Sequence, residues 1–153
     1  MMLMRHYLVR FEKFPIDKRS VRAGQNSPEV VIACRCINVG LFLSGSLRQD
    51  VAVSIAIGVP DDLIVISFLG KSLRRVSPEE RSISFFLLKS IEKAQNLKID
   101  DMFTMDNGIE LIRASNEKIL ELWASEIIQV PSSNPERYIL DTNLSADRIE
   151  NKP

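Results

Sequence analysis

Leu63-Ile64-Val65-Ile66-Ser67-Phe68-Leu69-Gly70-Lys71-Ser72-Leu73-Arg74-Arg75-Val76-Ser77-Pro78-Glu79-Glu80-Arg81-Ser82 is the stretch on which the fold turns. An apolar, β-branched run ends at Gly70, a basic loop follows, and a helix-start signal closes it. Such a run reads as a strand covered on both faces. Ser77 can accept from an orphan amide of the first turn, and Pro78 suits the first helical position, where its missing N–H costs nothing. Glu80 can reach back to the Ser77 amide, so the three predict a capping box. Ile83, Phe86, Leu87, Ile91 and Ala94 then recur at three- and four-residue steps, which puts one face of the helix in the core. Lys71, Arg74, Arg75 and Arg81 are thereby held between a strand end and a helix N-terminus, where free amides and the dipole favour an anion. A solvated loop with an ordinary cap accounts for the same spacing.

Upstream, residues 51–57 (VAVSIAI) form a second apolar run, separated from the first by only Gly58-Val59-Pro60-Asp61-Asp62. That gap is too short for a helical crossover and predicts an antiparallel hairpin. Residues 6–12 (HYLVRFE) alternate as a first strand, and residues 13–27 read as a mobile, basic connection with Lys18, Arg19, Arg22 and Gly24. Ser27-Pro28-Glu29 repeats the helix-start chemistry. Its helix runs through Val30, Val31, Cys34, Ile37 and Leu41 and should end near Gly45, with Arg35 as the one strong charge in its middle.

Downstream, residues 97–107 read as a loop and residues 108–112 as a short strand. Asn116 is placed to cap a helix through Ile119, Leu120, Trp123 and Ile127. Residues 131–135 read as a turn, residues 137–141 (RYILD) as a strand, and residues 142–153 as a polar tail. Alternating strands and helices with one hairpin predict a single α/β domain: a layered, mixed, mostly parallel sheet with helices on both faces.

A chain of 153 residues is long enough for one domain with a real core. No apolar run reaches the length of a membrane span, and Arg5 and His6 follow the opening methionines too early for a signal peptide, so cytosol is the default. The net charge is zero, but residues 1–93 carry 14 Lys+Arg against 9 Asp+Glu, and residues 94–153 carry 6 against 11. A surplus of five positive charges in one part can present a basic face to an anion; chance segregation gives the same count. Cys34 and Cys36 would point about 200° apart on a helix, so they neither chelate one metal nor bridge each other, and they fit a reduced compartment. His6, the single histidine, has no converging Cys or carboxylate motif, which leaves no metal site and no serine-type triad. Asp100, Asp101 and Asp106 share a loop but fit no calcium-loop spacing. No GxGxxG and no P-loop is present.

Several blocks, in order and spacing, resemble the archaeal tRNA pseudouridine-54 N1-methyltransferase family. They are Cys34-Arg35-Cys36-Ile37 with Leu41-Phe42-Leu43-Ser44, then Leu47-Arg48-Gln49-Asp50-Val51, Phe68-Leu69-Gly70, and Val76-Ser77-Pro78-Glu79-Glu80-Arg81-Ser82. Gly108-Ile109, the helix around Leu120, and Arg137-Tyr138-Ile139-Leu140 also sit where that family has similar segments. The resemblance implies a SPOUT-class α/β fold, S-adenosylmethionine as methyl donor held in a C-terminal trefoil knot, tRNA as substrate, and a homodimer. Leu140 matches a family leucine at the edge of the cofactor pocket. The chain departs from the family at the start of its first long helix, where Ser27-Pro28-Glu29-Val30 replaces a Gly-Arg-x-Asp-like sequence, and at Val39, where the family has an acid. Nothing after Asp141 resembles the family's glycine-rich loop and final helix, so the knot is expected to be incomplete or absent, and the strand around Ile139 to leave Tyr138, Leu140 or their neighbours exposed or covered by a partner chain.

Methyl transfer from a sulfonium is an in-line displacement governed by positioning, and pseudouridine N1 must also lose a proton. No catalytic base is identifiable. Arg35, Arg48, Lys71, Arg74, Arg75 and Arg81 are the candidates for holding tRNA phosphates. The competing reading pairs Arg35 and Arg48 with Glu29 or Asp50, and Arg81 with Glu79 or Glu80. Two functions follow from different classes: a donor-dependent tRNA methyltransferase, or a non-catalytic RNA-binding relic that has lost the donor site. An unrelated α/β domain is the third reading.

Overall fold

The computed structural model describes the backbone of residues 5–43, 46–128, 137–141 and 149–152, and the side chains of residues 5–42 and 47–122. The elements are β1 (Arg5–Phe11), α1 (Lys18–Ala23), α2 (Pro28–Leu41), β2 (Phe42–Leu43), β3 (Ser46–Leu47), β4 (Val51–Val59), β5 (Asp62–Leu69), α3 (Glu80–Ala94), β6 (Met102–Thr104), β7 (Glu110–Ala114), α4 (Asn116–Ile128), β8 (Arg137–Asp141) and β9 (Ile149–Lys152). Among the described residues, seven strands form one sheet in the order β6-β7-β5-β4-β1-β8-β9, and β2 and β3 pair separately.

The apolar runs form the predicted hairpin, with Val59 opposite Asp62 at the turn and Ala52 opposite Leu69 at its open end. The sheet is mixed, as expected, but the parallel majority is not found. β1 pairs in parallel with β4 and β8, while β4–β5, β5–β7, β6–β7 and β8–β9 are antiparallel. The reason lies in β6, within residues that read as loop. β6 is the strand that follows α3 in the direction of β5, and β7 then folds back between the two. A helical crossover therefore skips one position instead of adding a parallel neighbour.

Strand alternation builds two cores. One face carries Val9, Phe11, Val53, Ile55, Ile66 and Phe68 against Val30, Ile37, Leu41 of α2 and Ile83, Leu87 of α3. Fully burying a side chain of this size contributes about 1.5–3 kcal/mol, so this face dominates the fold. The other face carries Leu8, Ala56, Leu63, Val65 and Ala114 with Ile119 of α4. Within the second face lies a buried polar chain: His6 Nε2 is 2.8 Å from Ser54 Oγ, which is 2.6 Å from Ser67 Oγ. A histidine hydrogen-bonded to a serine inside a sheet is a satisfied core residue.

Four local expectations need correction. Residues 18–23 form a helix rather than a mobile connection. Asp17 caps it by accepting from the Ser20 amide (2.7 Å), and the Gly24 amide closes it onto the Ser20 and Val21 carbonyls. The capping box at Ser77 does not form. The Ser77 amide donates to Ser82 Oγ (3.1 Å), α3 starts after Glu79, and the Glu80 carboxylate instead accepts from Asn26 Nδ2 (3.0 Å). At α2 the same signal holds, with the Val30 amide on Ser27 Oγ at 3.4 Å, yet the helix ends at Leu41 because β2 begins there. At α4 the cap is Ser115, whose Oγ accepts from the Lys118 amide (3.2 Å), and Asn116 is already helical. The turn at 131–135, the packing of Trp123 and Ile127, the exposure of Tyr138 and Leu140 and the state of the knot lie outside the described residues. So does the tail, apart from the backbone of β9.

Candidate nucleic-acid interface

Three segments converge where β5 ends and β1, β4 and β7 begin. Gly70 donates its amide to the Val51 carbonyl (2.9 Å) and lies so close to the Arg48 carbonyl that a Cβ on Gly70 would collide with it. Arg48 is anchored in turn by its amide on the Leu41 carbonyl (2.6 Å). From the other side comes residues 106–108: the Arg74 amide donates to the Asn107 carbonyl (2.8 Å), and Gly108, at φ +91°, leaves no room for a Cβ against the Ser72 carbonyl. The Leu73 side chain is buried beneath the loop and fixes it to the first core.

Arg48, Lys71, Arg74 and Arg75 are thus carried by one braced loop system. Lys71, Arg74 and Arg75 are exposed and Arg48 is half-buried. Arg75 adopts φ 61°, a left-handed conformation unusual for a residue with a side chain. Its guanidinium donates to the Asp106 carbonyl (3.3 Å) and lies 3.7 Å from the Asp106 carboxylate, a solvated contact worth little to stability. Arg35 and Arg81 sit elsewhere, exposed on neighbouring turns of α2 and α3, where Cys34 Sγ approaches the Glu80 carbonyl at 3.9 Å. Among the described residues no ion pair joins Arg35, Arg48 or Arg81 to Glu29, Asp50, Glu79 or Glu80. The convergence gathers four cations, with Asp50 beside Arg48 and Asp106 facing Arg75 as its neighbouring carboxylates.

The position the resemblance assigns to the cofactor lies far from this loop. Leu140 in β8 is in register with Val9, and Val9 with Ile55, four residues along the sheet from the Arg5–Val51 level where the loop sits. Four residues make about 13 Å along the strands, and the three strand spacings between β5 and β8 add about 14 Å across them. Leu140 falls towards the carboxyl ends of the parallel strands β1 and β8, the end where α/β sheets take their ligands. One residue at that end is not a pocket.

Cys34 and Cys36 are free thiols; burial pushes Cys34 up to about 12, with Glu80 adding to the effect, and burial also raises Cys36. Among the described residues no three His, Cys, Asp or Glu side chains converge as a metal site, and no helix is long and apolar enough to cross a membrane. The Asp100–Asp106 loop is otherwise engaged, with Asp101 accepting from the Lys98 amide (3.0 Å). Sequence reasoning missed the ordered set Lys18, Arg19 and Arg22 on α1, although Asp17 and Gly24 mark both ends of that helix.

Residues 4–131 match the family model described as "Putative SAM-dependent RNA methyltransferase". Among curated proteins, the tRNA (pseudouridine(54)-N(1))-methyltransferase of Methanococcus maripaludis strain C5 is 44% identical over 69 residues, 44% of this chain and 35% of that protein. The Haloferax volcanii enzyme of the same name is 34% identical over 95 residues, covering 62% and 46%. That of Haloarcula marismortui is 29% identical over 109 residues, covering 71% and 52%. The matches therefore span between about a third and a half of these relatives' own length. The resemblance carried by the Cys34-Arg35-Cys36 and Ser77-Pro78-Glu79-Glu80-Arg81 blocks is borne out, and the chain belongs to the family of SAM-dependent RNA methyltransferases that includes these archaeal enzymes.

Proposed function

We propose that this chain supplies the RNA-holding body of a tRNA methyltransferase that transfers a methyl group from S-adenosylmethionine to N1 of pseudouridine. The observation that carries this reading is the braced loop, Gly70 to Arg75, whose cations stand on a fixed backbone within a chain of this family. Arg48, Lys71 and Arg74 have no ion-pair partner among the described residues and are free to meet phosphates. Arg75 can exchange its contact with Asp106 for one, and Arg35 and Arg81 extend the positive surface along α2 and α3. Pre-ordering the backbone lowers the entropy cost of docking a polyanion.

S-adenosylmethionine supplies the electrophilic methyl when bound, and Leu140 is the residue of this chain assigned to its edge. The separation between Leu140 and the basic loop favours the homodimer that the resemblance implies, with one copy's loop facing the other's donor end. A cytoplasmic setting and a SPOUT-class fold, its C-terminal knot incomplete or absent in this chain, accompany this reading.

Calorimetry with S-adenosylmethionine, together with methylation of a tRNA transcript carrying pseudouridine at position 54, tests it. Donor binding and methylated product are expected from the whole protein. Salt-dependent tRNA binding without donor affinity would point to an RNA-binding module, and absence of both would contradict the family function.

A further inference from the structure

Helix α1 is the strongest feature the loop does not absorb. Lys18, Arg19 and Arg22, with Ala23, line an open cavity of about 500 Å³. Among the described residues none of these three cations has a carboxylate within ion-pair distance. The nearest acid in sequence, Asp17, accepts from the Ser20 amide as the helix cap, and its hydrogen bonds to Ser20, with a smaller contribution from the Arg19 amide and charge, hold its carboxyl below the usual range. Lys18 and Arg22 stand four residues apart on one face, a like-charge arrangement that costs a free helix stability and that a bound anion offsets.

The cations also stand on a fixed base. Val21 is buried, the Gln25 amide bonds to the Ser20 carbonyl (2.9 Å), and Ser27 Oγ donates to the Pro15 carbonyl (2.7 Å). Asn26 ties the end of this segment to Glu80 in the first turn of α3 (3.0 Å), next to Arg81. That bond occupies one of the neighbouring carboxylates; Glu29, half-buried at the start of α2, and Glu79, exposed before α3, set the limit of the positive area.

We infer that α1 is a second RNA contact, in which Lys18, Arg19 and Arg22 take backbone phosphates of the same RNA that the Gly70–Arg75 loop holds. The inference rests on the function proposed above. An open cavity edged by three cations that make no close ion pair among the described residues suits a chain of phosphates passing over it, and the Asn26–Glu80 link joins this segment to the start of α3 beside Arg81.

The test is tRNA binding against salt concentration with the full chain and its Lys18→Gln/Arg22→Gln variant, glutamine being a good helix former that keeps α1 intact. Loss of two phosphate contacts lowers the slope of log K against log salt by about 1.4 to 1.8. The charge-preserving Lys18→Arg/Arg22→Lys variant should restore the parent slope. An unchanged slope in the glutamine variant, with Arg74→Ala still lowering it, overturns the α1 contact and leaves the loop standing. Failure of the parent chain to bind tRNA at all overturns the proposed function first, and this contact with it.

Discussion

The carbonyl oxygen of Arg48 occupies the space that a Cβ on Gly70 would need. Two segments 22 residues apart in sequence are pressed together there, and the basic loop begins at the next residue. Gly70→Ala has no flexible side chain to push aside, only the Arg48 and Val51 backbone. It is expected to destabilise the fold by about 1–3 kcal/mol, the usual cost of overpacking, as read from denaturant midpoints.

Arg75 separates stability from binding. Its left-handed backbone costs a residue with a side chain about 1–2 kcal/mol, a cost that glycine does not carry. Arg75→Gly should therefore unfold no earlier than the parent in thermal melts, while binding tRNA more weakly. Arg75→Ala loses the same charge but keeps the strain, so the two variants should bind alike and melt differently.

Much of this was legible in the sequence, for physical reasons that differ from element to element. The β4–β5 hairpin is readable because two β-branched runs share a gap too short for anything else. α1 is not, because six residues with one buried side chain, Val21, leave no periodicity. The start of α3 is misread because its chemistry is satisfied from afar: Asn26, 54 residues upstream, takes the Glu80 carboxylate that the local motif assigns to Ser77. The direction of the sheet is misread because β6, three exposed residues, carries too little apolar pattern to register as a strand. In the site, the sequence names the residues of the loop but not their bracing, which depends on close backbone approaches at Gly70 and Gly108.

Asp62 and Arg113 supply a pH-dependent tie between β5 and β7. Arg113 Nε and Nη2 donate to the two Asp62 oxygens at 2.9 and 2.8 Å, while its Nη1 donates to the Leu97 carbonyl at 2.7 Å. These hydrogen bonds, aided by charge attraction and opposed by burial, hold the Asp62 carboxyl below its ordinary 3.8. A carboxyl lowered on folding contributes stability that is complete above the unfolded value and lost as pH falls through the folded one. Asp62→Asn should thus be less stable than the parent at neutral pH, with the difference shrinking below about 3.8 and vanishing in stronger acid. Urea midpoints across pH 2–7 measure it; a difference constant over that range contradicts the pairing.

Cys34, pushed up to about 12 by burial, is almost entirely thiol at pH 8. Native protein should therefore react slowly with iodoacetamide at Cys34 and quickly once unfolded, by mass spectrometry. Rapid modification of Cys34 in the folded state would contradict its packing against the start of α3.

The loop's claim to a polyanion is tested most directly by the salt dependence of tRNA binding for the parent chain and for Lys71→Ala/Arg74→Ala. These two exposed cations make no ion pair among the described residues, so their loss should leave the fold intact. The slope of log K against log salt should fall by about 1.4 to 1.8, the value for two phosphate contacts. An unchanged slope with unchanged affinity would mean that RNA does not pass over this loop.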